Sequence, residues 1–200
     1  MRSVGWAGAA LAASVFILDL QSLAAGLYSH SAEARLSQRP DPRTVAAAGL
    51  AVRIAPWSAS ASALDGWVLA SVENPGEAEA SYARALRWAP GDPLLWNEYA
   101  LALARLDVFD ERLSAATRRS LELAPTSPAV RGSIAAMGLS YWLRGAPELR
   151  GYWRQSMRWE LDHVRESFLR DIETRGDTAA FCHFHAPELG EQAWCSNKPS

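Results

Sequence analysis

A proline that returns at a fixed spacing constrains this chain more than any other feature. Arg53-Ile54-Ala55-Pro56-Trp57-Ser58, Arg87-Trp88-Ala89-Pro90-Gly91-Asp92 and Glu122-Leu123-Ala124-Pro125-Thr126-Ser127 align on Pro56, Pro90 and Pro125, at intervals of 34 and 35 residues. Proline has no N–H for a helix interior and its ring clashes with the preceding turn, so each of the three predicts a helix end. Self-similarity at this period is the mark of stacked helical units, each too small to hide its own apolar face and so packed against the next. Composition agrees with a packed core. Apolar residues make up 49% and charged residues 21%, with a formal net charge of −2. That balance argues against disorder. It also lacks the positive field of non-specific nucleic-acid binding.

The interiors of the units repeat as well. Between Pro56 and Pro90, Gly66 stands at a small-residue position of a first helix. Ala78, Tyr82 and Ala85 follow on a second helix, after a break at Asn74-Pro75-Gly76. In the next unit Trp96, Tyr99, Ala100 and Leu103 recur at helical spacing. Leu113, Thr117 and Ser120 hold the second-helix slots, with one extra residue near Asp107–Asp110. Asp92-Pro93 and Ser127-Pro128 read as a capping residue followed by proline at the first helical position. On these residues the chain resembles the tetratricopeptide-repeat (TPR) superfamily over about residues 42–146. The resemblance implies an all-α, antiparallel helix-pair solenoid.

The flanks extend this architecture. Residues 42–55 predict a lone second helix, and residues 128–144 a first helix carrying Ile134, Met137 and Tyr141. Leu149, Trp153, Met157, Leu161, Val164, Phe168 and Ile172 form an apolar stripe, which predicts one capping helix over 147–176. Arg175-Gly176-Asp177 reads as its terminus rather than as an adhesion tripeptide. Residues 177–200 are assigned to a tail.

At the other end, residues 1–28 predict a membrane segment and 29–41 a juxtamembrane connector. Val4 to Tyr28 is nearly all apolar or small, and about 20 such residues cross a bilayer as a helix. Asp19 interrupts the run. An ionisable group costs about 2.5–3.5 kcal/mol at the bilayer centre, so Asp19 is expected near the headgroups, against a partner helix, or protonated. Two fates stay open, an uncleaved signal anchor and a signal peptide cleaved after Ser22-Leu23-Ala24. The anchor is favoured because the apolar run continues through Leu27 and Tyr28.

Chemistry-bearing residues are few. Cys182 and Cys195, the two cysteines, are expected to form a disulfide in an oxidising compartment. The alternatives are free thiols and, for Phe181-Cys182-His183-Phe184-His185, a structural metal site with Cys195, His163 being a conceivable further ligand, which lacks paired ligand spacing. Nine Trp is high usage, and Trp both packs cores and stacks on sugars. Trp67, Trp88, Trp96, Tyr99 and Trp142 are therefore a candidate interaction surface. Arg150, Arg154 and Arg158 make a basic strip at i,i+4 spacing, suited to anions if unpaired and otherwise a solvated helix face. No phosphate loop, hydrolase triad order, dinucleotide glycine pattern or zinc-protease helix is present. No catalytic residue, metal or cofactor is predicted.

The stretches ALRWAPGDPLLWNEYALALARL and LELAPTSPAVRGSIAAMGLSYWLRGAPELR also resemble the repeat tails of the O-antigen ligase and polymerase family. There such tails follow a many-span membrane domain, and this chain has one candidate span. The resemblance implies an accessory role in surface polysaccharide assembly. The sequence-based expectation is thus a non-enzymatic scaffold, single-pass in a bacterial inner membrane with a periplasmic helical domain, binding envelope or membrane proteins. A Trp-rich saccharide- or peptide-binding module and a small metal-binding protein are the alternatives.

Overall fold

The structure is a computed structural model describing residues 42–196. The expected membrane segment, Asp19 and the connector lie outside the described residues. Among those described, no helix is long and apolar enough to cross a membrane. They form ten α-helices and one 3-10 helix, with no strand. The helices group into two compact units that divide after Pro90.

The first unit holds α1 (Pro42–Ile54), α2 (Ala59–Ser71) and α3 (Pro75–Trp88). Helix α1 stops before Pro56, and the Ser58 hydroxyl caps α2 by accepting from Ala61 N–H at 3.2 Å. The turn into α3 places Glu73 at φ +61°, Asn74 accepts from Glu77 N–H at 3.4 Å, and Pro75 opens the helix. Gly66 explains the close pairing of α2 with α3. A Cβ there would lie 2.9 Å from two ring carbons of Tyr82, so the phenol ring rests on bare backbone. Tyr82, Ala78 and Ala85 are buried behind it, as their spacing predicted. Ser81 Oγ donates to Asp65 at 2.6 Å and ties the two helices a turn away. Helix α1 packs on α2 through Ala48, Leu64 and Val68.

The second unit begins with two helix hairpins, α4 (Pro93–Arg105) with α5 (Glu111–Leu123), and α6 (Pro128–Tyr141) with α7 (Pro147–Arg175). A 3-10 turn, Trp142–Arg144, leads from α6 toward α7. Asp92, Asp110 and Ser127 cap α4, α5 and α6 by accepting backbone N–H bonds. First helices pack on each other (α4 on α6) and so do second helices (α5 on α7). Polar links fix the register: Ser120 Oγ donates to Pro93 O at 2.8 Å, and Asn97 Nδ2 donates to Ser133 Oγ at 2.9 Å. Leu113, Thr117 and Ser120 are fully buried in their predicted slots. The extra residue falls in the turn before α5, where Asp107 adopts φ +66° and leaves the helix that follows in phase.

One sequence-based expectation needs correction. The stripe of 147–176 is not one continuous helix, because Val164 (φ −140°, ψ 36°) breaks α7. Ser167 Oγ donates to the Val164 carbonyl at 2.8 Å at this break. Val164 is only half-buried, while Phe168, Leu169 and Ile172 beyond it return to the core. The tail, for which no secondary structure was expected, is helical. It forms α8 (Thr178–Phe184), α9 (Ala186–Leu189) and α10 (Gln192–Ser196), with Phe181 fully buried and edge-on to Phe168 at 6.2 Å.

Candidate functional site

A concave surface of the second unit lies along its first helices. A groove of about 490 Å³ runs there, lined by Leu101 and Arg105 of α4, by Ser133, Met137, Ser140 and Tyr141 of α6, and by Arg175 at the end of α7. Its shape follows from α6. Ser133, Ala136 and Ser140 recur at three- and four-residue spacing and share one face of a helix, and their short side chains leave a trough. Leu101, Met137 and Tyr141 give it an apolar floor, while Arg105 and Arg175 are exposed. Apolar floor, hydroxyls and guanidinium groups together suit a chain segment lying along the helices. The sequence-based surface missed this groove, although the small-residue spacing of α6 was the available signal.

The candidate residues chosen from sequence are divided between the two units. Trp67 and Trp88 belong to the first unit and are 36% and 58% exposed. Trp96 is half-buried and meets Tyr99 edge-on at 6.4 Å. Trp142 is enclosed by its own unit: the His185 ring stands edge-on at 4.4 Å, and the Arg150 and Arg154 guanidinium groups lie 5.5 and 5.4 Å from its ring centroid.

The basic strip stays largely solvated, the Arg154 side chain being 44% exposed and Arg158 exposed, but its guanidinium groups are engaged within the unit rather than left unpaired for an anion. Arg150 Nε donates to Trp142 O at 2.9 Å, Arg154 Nε lies 2.6 Å from the Glu188 carboxylate, and Arg158 Nη2 donates to Glu188 O at 2.8 Å. These bonds hold the 3-10 turn and the short tail helices against α7. Arg165 and Glu191 add a further pair at 2.6 Å.

Cys182 and Cys195 form a disulfide, with Cα atoms 5.6 Å apart and 13 residues of separation. A sulfur engaged in that bond is not a thiolate ligand, which removes the basis of the metal alternative at this tail. His163 stacks on Trp159 at 4.3 Å and 10°, with Nδ1 2.8 Å from Trp159 O. His185, the third member of the motif, is 1% exposed and lies within the tail. Burial, aided by the nearby Arg154 charge, pushes its pKa down to about 4. Among the described residues no group of three His, Cys, Asp or Glu side chains is placed to hold a metal ion.

Compared with known proteins, the chain matches no family model and no curated sequence.

Proposed function

We propose that this chain is a TPR-like scaffold, held at a bacterial inner membrane by its N-terminal apolar segment, that docks protein partners in envelope assembly. The reading includes an accessory role in surface polysaccharide assembly, which the resemblance of the repeats suggests. The groove between α4 and α6 is the observation that carries it. A surface built from successive first helices offers shape, an apolar floor and scattered polar groups, and these recognise an extended segment without chemistry being done on it. The periodic burial behind that surface supports the same reading, since Leu113, Thr117, Ser120 and Ile134 are all fully enclosed.

The saccharide reading has less support. Trp67 and Trp88 are exposed, but Trp142 is covered by His185 and two arginines. The test is site-specific photocrosslinking in native membranes. A photoreactive residue at Ser140, in the groove, is compared with one at Arg119 on α5, outside it. Envelope or polysaccharide-assembly proteins crosslinked from Ser140 and not from Arg119 are the expected result. Capture of cytosolic proteins alone, or equal capture from both positions, defeats the proposal.

A further inference from the structure

A second, smaller cavity opens beside the groove, and the two share Ala136 and Arg175 in their walls. It measures about 60 Å³ and is bounded by Glu160, Phe168, Asp171 and Ile172 of α7 and by Gly132 and Leu139 of α6. Both stretches of α7 contribute, Glu160 from before the break at Val164 and Asp171 from after it. Glu160 is 6% exposed, and its Oε1 has no hydrogen-bond partner among the described residues. A Cβ on Gly132 would lie 3.6 Å from that oxygen.

Among the described residues no arginine forms an ion pair with either carboxylate, although the Arg131 charge acts on Glu160 from a distance. Arg131, the nearest buried cation, donates from Nε to Pro125 O at 2.8 Å and directs Nη1 toward Ser156 Oγ at 3.5 Å. Arg175 is exposed and forms no ion pair with Asp171, four residues earlier on the same helix. A buried carboxylate oxygen is costly to leave without a charged or hydrogen-bonding partner. Two carboxylates facing one small cavity compound the cost through like-charge repulsion. Burial and the Asp171 charge push the Glu160 pKa up, the smaller opposing effects of the His163 and Arg131 charges not cancelling them, and a cation seated between the two carboxylates would offset both.

We infer that this cavity receives the ammonium group of a lysine from the partner segment lying in the groove, seated between Glu160 Oε1 and Asp171. The inference rests on the groove being the docking surface. Lysine fits better than arginine because its charge is a compact point at the end of a slender stem, whereas guanidinium is a wide planar fork. The cavity holds the volume of roughly four water molecules, enough for an ammonium and its last methylenes.

Methionine methyl groups give the test. Of three methionines, Met137 lines the groove, whereas Met157 does not and packs near Gly138. The full chain, labelled at the methionine methyls, is titrated with the blocked peptide Ala-Ala-Lys-Ala-Ala and with its norleucine counterpart, which keeps the stem and lacks the charge. The lysine peptide is expected to shift Met137 saturably and to bind at least about tenfold more tightly than the norleucine peptide, the scale of one desolvated charge pair. Glu160→Gln should abolish that preference while leaving the Met157 methyl and the norleucine affinity unchanged, which shows the fold intact. Equal titration by the two peptides overturns the lysine inference and leaves the groove standing. A lysine preference that survives Glu160→Gln overturns it too, and silence of Met137 toward both peptides removes the inference and the groove reading together.

Discussion

Acidification should unfold the second unit partly through one imidazole. His185 is 1% exposed, with Trp142 edge-on at 4.4 Å and the Phe181 ring centroid at 6.1 Å. A protonated ring there would lose water on every side and meet the Arg154 charge, so its folded pKa falls from 6.5 to about 4. Above pH 6.5 the ring is neutral in both states and adds no pH dependence. Between 6.5 and about 4 the unfolded chain takes up a proton that the folded chain refuses, so stability falls with pH. Below about 4 both states are protonated and the loss is complete. The gap between 6.5 and about 4, at about 1.4 kcal/mol per unit, amounts to about 3 kcal/mol. The near-complete burial of the ring leaves little solvent screening to reduce this. The assay is urea unfolding, followed by tryptophan fluorescence at a series of pH values, on the wild type and on His185→Phe. Comparing the two slopes cancels the carboxylates they share. The wild type should lose about 3 kcal/mol more than the variant over that window. Parallel curves, or an NMR titration of His185 near 6.5, would refute the reasoning.

Other perturbations test the packing directly. Replacing Cys182 and Cys195 by serine opens a loop with 13 residues of separation, for which chain entropy gives a loss of about 3 kcal/mol; a reductant should destabilise the wild type by a similar amount and leave the variant unmoved. Gly138→Ala would bring a methyl to 2.6 Å from Trp153 Cβ and 2.5 Å from the Met157 methyl, so a loss of about 1–3 kcal/mol is expected on thermal or urea unfolding. Gly151→Ala, whose added methyl meets nothing within 4 Å on an exposed face of α7, should instead stabilise by about 0.5–1 kcal/mol. Equal effects of the two alanines would show that the contact at Gly138 relaxes freely.

The helix pairs were legible because their determinants are local. A proline stop and a capping side chain each act within a few residues, so Asp92-Pro93 announced itself in one dimension, as did the small-residue position at Gly66, though not its contact with Tyr82. What failed to show depends on distant partners. The arginines at 150, 154 and 158 look like an open strip until Trp142 and Glu188 are brought to them by the folded tail. The stripe from Leu149 to Ile172 predicts unbroken helix because periodicity does not register a break at one residue, and Val164 shifts the face without ending the apolar run. The groove was hidden for a related reason: its trough consists of side chains too short to draw notice, and only the approach of α4 to α6 gives their smallness a shape.

The added residue before α5 is more than a tolerated length variant. Its turn carries Asp107, which pairs with Arg144 of the 3-10 turn, and Arg144 also lies 5.2 Å from the Phe109 ring centroid. One surplus amino acid thus becomes a buckle between the first hairpin and the bend within the second. Trimming that turn back to the bare repeat length would unfasten a strap, letting each hairpin move on the other while both kept their own helices.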